Sequence, residues 1–402
     1  MESSTRNIRE FADAVLHAVK RRMFGVDDVV RLSLVALYTD GHVLLEGNPG
    51  FGKTELVKTL GKVLKLPRGR IQFTPDLMPT DITGTYMPDL EDRTSTEWEF
   101  REGPIFTSLL LADEVNRATP KTQSAMLEAM AERQVTVLGK RQELDMPFMV
   151  LATQNPIDHE GTYNLPEAQA DRFMFKITMP VPDGDTLDRI IDKQAGVFPE
   201  EAGDKDTETR SNIPLLPKDK EQSREMYVTL CQRIQRVGRL PAMKKHIRNM
   251  FLASNWRFKE MEGCKDARKA KQAKRLVKEL LTYGLGPRAA IALTMGAQAW
   301  WLLFERDPKV TQADGFALAR VAIPTLRHRI KLDLDWEDRY HEITKTHPTI
   351  ITYDAATQAS RGNVGLLERV LADFCYSMAP ETHGYHSTVK QALNQVFEER
   401  GW

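Results

Sequence analysis

The chain has 402 residues, 41% hydrophobic and 28% charged, and its 56 Lys plus Arg balance 56 Asp plus Glu. That length accommodates two or three domains with a sizeable core, and a zero net charge sets aside a globally basic nucleic-acid binder while leaving room for a local patch. Cys231, Cys264 and Cys375 make neither a zinc spacing nor a disulfide framework, no apolar run approaches the ~20 residues of a membrane helix, and the N-terminus lacks the apolar core of a signal peptide, so a cytoplasmic protein is expected.

In chain order, Ile8, Phe11, Ala12, Val15, Ala18 and Val19 recur at helical spacing. A second helix is predicted over residues 27–38, ending near Gly41. The apolar run Val43–Leu45 reads as a strand, and four more strands are predicted at 70–73, 109–112, 147–153 and 173–178. Most are continuous apolar runs, as strands buried on both faces should be. Helical stretches lie between them, notably 53–64 and 121–131, and strand alternating with helix indicates a parallel sheet covered on both faces. This α/β unit is expected to end near Asp183. One hairpin interrupts it, with arms 134–137 and 142–145 around Leu138-Gly139-Lys140. It reads as a plain surface hairpin or as a grip on a substrate.

Beyond Asp183 the strand signal fades. Residues 200–224 are polar with one apolar interlude, Ile213–Leu216, and read as a linker or long loop. Helices are predicted at 225–237, 241–256, 275–282, 287–304 and 311–320. Pro287 suits the first position of its helix, and Thr311 with Asp314 resembles a capping box. The tail adds helices at 364–378 and 386–399. The expected division is a nucleotide-binding core at 1–183, a helical domain with its linker at 184–335, and a helical extension at 336–402.

The stretch Gly47-Asn48-Pro49-Gly50-Phe51-Gly52-Lys53-Thr54 follows the first strand and opens a helix. It fits the pattern G-x-x-x-x-G-K-[ST], expected by chance in roughly one in a hundred chains of this length on average residue usage. Glycines let the backbone wrap around phosphate oxygens with its N–H groups turned inward, and the helix that follows points its positive end at the same anion. Lys53 is placed to reach the outer phosphates and Thr54 to hold Mg²⁺. Glu55 completes the candidate nucleotide-binding stretch, and Phe51 either stacks near the nucleotide or fills space. A hard cation needs a second oxygen ligand at a neighbouring strand end. Leu109 to Ala112 run into Asp113-Glu114, which assigns Asp113 to the metal and Glu114 to the attacking water as general base.

The segments GNPGFGKT, LLLADEVNRATPKTQSAMLEAMAERQVT and LATQNPIDHEGTYNLPEAQADRF resemble the MoxR family of AAA+ ATPases. The likeness spans residues 10–185, resumes at GPRAAIALTMGAQAW and VTQADGFALARVAIPTLRHRI, and leaves 257–280 and 337–402 as apparent additions. It implies an AAA+ core with a five-stranded parallel sheet, a helical lid, and assembly into a ring, usually a hexamer. It further implies that Asn155 is the sensor-1 residue and that Arg172 is an arginine finger reaching the neighbouring subunit's site. Arg288 corresponds to sensor 2. Residues 78–84 match the start of the insert in helix 2, and the hairpin around Gly139 matches the pre-sensor-1 insert. The implied activity is Mg²⁺-dependent ATP hydrolysis that remodels or activates protein partners, often one with a von Willebrand factor A domain. No D-x-S-x-S motif occurs here, so such a domain would sit on another protein.

Weaker features remain. Residues 257–278 hold nine basic and three acidic residues, read as a solvated helix with a mobile loop in preference to a nucleic-acid patch. Trp300-Trp301 reads as lid core, and the nine histidines form no metal-ligand constellation. Two rival functions stand beside the main one. A nucleic-acid motor predicts salt-sensitive DNA binding, and a nucleotide-gated scaffold predicts tight ATP binding without turnover.

Overall fold

A computed structural model describes residues 2–47, 50–88, 98–155, 163, 165–195, 216–263, 267–305, 307, 309–346, 365–382 and 384–400. The chain forms two compact units, Met1–Phe173 with Ile177–Cys231, and Met174–Lys176 with Gln232–Trp402.

The leading elements are α1 (Glu2–Lys20), α2 (Asp27–Tyr38), β1 (Val43–Glu46), α3 (Lys53–Val63), β2 (Arg68–Gln72), α4 (Pro79–Thr83), β3 (Gly84–Pro88), β4 (Trp98–Glu102) and β5 (Leu109–Asp113). There follow α5 (Pro120–Glu132), β6 (Gln134–Val137), β7 (Lys140–Glu143), β8 (Met149–Gln154), α6 (Glu167–Ala170), β9 (Phe175–Thr178), α7 (Gly184–Gln194) and α8 (Lys220–Arg236). The expected five-stranded sheet is present in the order β2-β5-β8-β1-β9, with β2, β5, β8 and β1 paired in parallel. Leu109 to Ala112 and Met149 to Thr153 are all buried, as strands covered on both faces require. β2 lies at the sheet edge with only Ile71 buried. It starts two residues before the predicted run because pairing with β5 recruits Arg68 and Gly69. β8 starts two residues after Pro147, which has no N–H for the ladder.

Two hairpins flank α5. In β6–β7, Leu138 and Gly139 both take positive φ (49° and 77°), the signature of a two-residue turn. Lys140 therefore belongs to the second strand, and the predicted arm at 142–145 is corrected to Lys140–Glu143. The other hairpin, β3–β4, is missed by the sequence reading. Its first residue, Gly84 (φ 86°), lies so close to the opposing strand that a Cβ would stand 2.1 Å from the Arg101 carbonyl oxygen. Tyr86 links the hairpins, accepting a hydrogen bond from Gln142 at 2.8 Å and lying 4.7 Å under the Lys140 ammonium.

The second unit contains α9 (Pro241–Ser254), α10 (Ala267–Leu280), β10 (Leu281–Tyr283), α11 (Pro287–Phe304), α12 (Gly315–Leu326), β11 (Lys331–Leu332), α13 (Trp336–Thr346), α14 (Leu366–Ser377) and α15 (Tyr385–Arg400). Three expectations change. α10 starts eight residues before the predicted helix and packs on α9, α13 and α14, so the basic stretch is in large part an ordered helix. The capping box gives way to a simpler cap, because Asp314 itself accepts the Phe316 and Ala317 N–H groups and α12 starts at Gly315. A short antiparallel pair, β10 with β11, and the helix α13 appear where neither is predicted.

α14 is buried along nearly its whole length, including Glu368, Arg369 and Asp373. Arg327 pairs with Glu368, Tyr340 donates to Asp373 at 2.6 Å, and Arg320 pairs with Glu399 of α15. His246 is fully buried, donating from Nε2 to the Cys375 carbonyl at 2.6 Å, with Nδ1 left to accept from Tyr385 at 3.1 Å. Burial lowers its pKa to about 4. Trp300 is buried beside Phe304, as the lid-core reading expects.

Candidate functional site

The parallel register lines up the C-terminal strand ends. Gln72 stands beside Asp113, Ala112 beside Ala152, and Glu46 beside Gln154. Ligands of open α/β sheets bind at this edge. Gly47 follows β1 there, Asn155 follows β8, and Asp113 ends β5, so the register itself gathers the predicted residues.

Gly50 (φ 85°) and Gly52 (φ 74°) adopt the left-handed conformation that the phosphate-loop reading requires, with Gly52 as the N-cap of α3. Asn48 and Pro49 lie outside the described residues. Phe51 is half-buried, and Lys53, Thr54 and Glu55 form the first turn of α3. Lys53 Nζ donates to the Gly47 carbonyl at 2.8 Å, which folds the ammonium back over the loop. Partial burial lowers its pKa, opposed by the nearby carboxylates of Asp113 and Glu114.

Four side chains that sequence reasoning does not pick out hold these carboxylates. Arg70 donates to Asp113 Oδ2 at 2.9 Å, Thr153 donates to Asp113 Oδ1 at 2.6 Å, and Gln72 donates to Glu114 Oε2 at 2.8 Å. Arg117 adds an ion pair to the same Glu114 oxygen at 3.1 Å. Strand pairing was the missing signal, since Arg70 and Gln72 come close only through the β2–β5 register. Behind Glu114, a 3₁₀ turn at Val115–Arg117 is fixed by the buried Gln123, whose amide donates to the carbonyls of Val115, Ala118 and Tyr163.

The fit to a triphosphate and Mg²⁺ can be tested on these features. Among the described residues no group of three His, Cys, Asp or Glu could hold a metal alone. The Asp113 carboxylate, the Thr54 hydroxyl and a left-handed glycine loop are instead what Mg²⁺ needs when phosphates and water supply its other ligands. The residues fit the pair. Arg172 donates to the Leu127 carbonyl of α5. Arg288 is exposed at the second position of α11, in the second unit.

Known proteins sharpen this reading. A family profile described as "ATPase family associated with various cellular activities (AAA)" matches residues 42–175, and an AAA lid domain profile matches 273–349. YeaC of Bacillus subtilis is 38% identical over 319 residues, covering 79% of this chain and 86% of that protein. Chaperone MoxR1 of Mycobacterium tuberculosis is 36% identical over 327 residues, covering 80% and 76%. The chain belongs to the MoxR family of AAA+ ATPases. A crystal structure of a candidate ATPase from Cytophaga hutchinsonii superposes with a TM-score of 0.65 at 32% identity, covering 86% of this chain and 95% of that one. The fold is therefore the AAA+ core with a helical lid of the MoxR family. The lid match begins at residue 273 and ends at 349. Part of each stretch read as an addition thus falls within the family pattern.

Proposed function

We propose that this MoxR-family protein is a Mg²⁺-dependent ATP hydrolase that assembles as a ring and remodels or activates protein partners. The observation that carries the proposal is the meeting of Lys53, Asp113 and Glu114 at the C-terminal edge of one sheet. The glycine loop and the first N–H groups of α3 bind the phosphates, and Lys53 exchanges its Gly47 contact for an outer phosphate oxygen. Thr54 and Asp113 would hold Mg²⁺, which would supply positive charge against the charge that develops on the phosphates. Glu114 accepts a proton from the attacking water, and Asn155 orients that water by hydrogen bonding. Arg172 leaves Leu127 and donates into the neighbouring copy's site, a contribution worth ~10³-fold or more in rate. Arg288 carries lid movement to the nucleotide.

The MoxR1 relative is named a chaperone, which supports a protein client, in this family often one bearing a von Willebrand factor A domain. A hexamer is the ring we favour. Free thiols at Cys231 and Cys375 suit a reducing, cytoplasmic setting, and no helix among the described residues is long and apolar enough to cross a membrane. Mixing Arg172→Ala with Glu114→Gln subunits tests the shared site. Each should be inactive alone, and mixed rings should regain turnover because one intact composite site can form. Demonstrated mixed rings without any recovery would refute it.

A further inference from the structure

β5 ends at Asp113, and the chain leaves the sheet at Glu114 in a left-handed conformation, φ 57° and ψ 48°. Residues with a Cβ adopt this region uncommonly, and the Glu114 N–H bonds to a side chain instead of the backbone ladder. That N–H finds its acceptor on the next strand, at the hydroxyl of Thr153, 2.8 Å away. The same oxygen donates its proton to Asp113 Oδ1 at 2.6 Å. A hydroxyl carries one hydrogen and two lone pairs, so a single atom performs both tasks. Thr153 is fully buried in β8, one of the central strands, so its hydroxyl is held on a rigid element. Because Arg70 takes Asp113 Oδ2, the carboxylate is gripped at both oxygens.

We propose that Thr153 is a positioning residue whose hydroxyl presets the Asp113 carboxylate for the cation and the Glu114 backbone for the water, so that one atom couples cation binding to turnover. The inference rests on the ATPase reading above. A valine of the same shape would fill the space, leave the Glu114 N–H without its acceptor, and release one side of Asp113. Serine would restore both bonds.

The test compares wild type, Thr153→Val and Thr153→Ser, measuring binding of the non-hydrolysable analogue AMP-PNP in Mg²⁺ and in EDTA, and ATP turnover against Mg²⁺ concentration. In Thr153→Val, affinity in EDTA should be unchanged, because the glycine loop and Lys53 are intact. The tightening that Mg²⁺ confers should shrink, half-saturating Mg²⁺ should rise, and kcat should fall by about ten- to a hundredfold, the range for losing one hydrogen bond to a charged group. Thr153→Ser should recover all three. Should the valine variant not fold, Thr153→Cys, a weak donor and acceptor, should give intermediate values. Wild-type Mg²⁺ dependence in the valine or cysteine variant, or equal losses in EDTA and Mg²⁺, would overturn the proposal while leaving the ATPase reading intact. A wild type that neither binds nor turns over nucleotide would bring down both.

Discussion

Replacing His42 by Asn should flatten the acid side of the stability profile. His42 is buried between the turn before β1, the end of α5 and the start of β8. Its Nδ1 accepts the Val150 N–H at 3.0 Å, so Nε2 carries the hydrogen and donates to the Met130 carbonyl at 3.0 Å. Burial first, and the Arg133 guanidinium second, lower its pKa from 6.5 to about 3 against the Met130 bond. The unfolded chain takes up a proton near pH 6.5 and the native one only near pH 3. The contribution of neutral His42 is therefore complete above pH 6.5 and is lost progressively as pH falls toward 3. Integrated from pH 7 to pH 5, the loss is about 2 kcal/mol. In the Asn variant the amide oxygen can take the Val150 N–H, and Met130 keeps a 2.6 Å bond from Arg133. Its stability at pH 7 drops with the lost volume, but its loss between pH 7 and 5 should be smaller by about 2 kcal/mol. Urea unfolding followed by circular dichroism at both pH values checks this, and subtracting the two proteins cancels the parallel contribution of His246. Equal slopes would refute the assignment of a buried, neutral imidazole.

Two further substitutions probe the packing. Gly84→Ala would place a Cβ 2.1 Å from the Arg101 oxygen at φ 86°. Unfolding should show a loss of at least about 1–3 kcal/mol from the backbone conformation alone, and a neutral result would contradict the tight β3–β4 pairing. Glu368→Ala removes a carboxylate paired with the nearly buried Arg327 in the second unit and should cost about 3–5 kcal/mol. Adding Arg327→Met should recover most of that, and failure to recover would mean the pair is not what orders α14.

The strands were legible because burial on both faces leaves unbroken apolar runs, as in Leu109 to Ala112. The phosphate loop and Asp113-Glu114 were legible because their chemistry is local in the chain. Features that depend on a distant partner were not. β3 and β4 are short and largely exposed, and only their mutual pairing makes them strands. Arg70, Gln72 and Thr153 look like ordinary strand residues until the parallel register sets them against Asp113 and Glu114. Glu368, Arg369 and Asp373 break the apolar pattern of α14, although the helix is buried, because Arg327 and Tyr340 meet two of those charges from elsewhere in the unit. Asp314 stands out in the sequence, but as the residue three after Thr311 in a capping box, since spacing alone does not say which polar residue caps.

The most direct measurement is ATP binding and Mg²⁺-dependent turnover by Glu114→Gln beside wild type, with Lys53→Ala as the control that loses both. Glutamine keeps the size of Glu114 and removes its capacity to accept a proton, so the variant should bind ATP with wild-type affinity and lose turnover by about a hundredfold or more. Turnover at the wild-type rate would contradict the account.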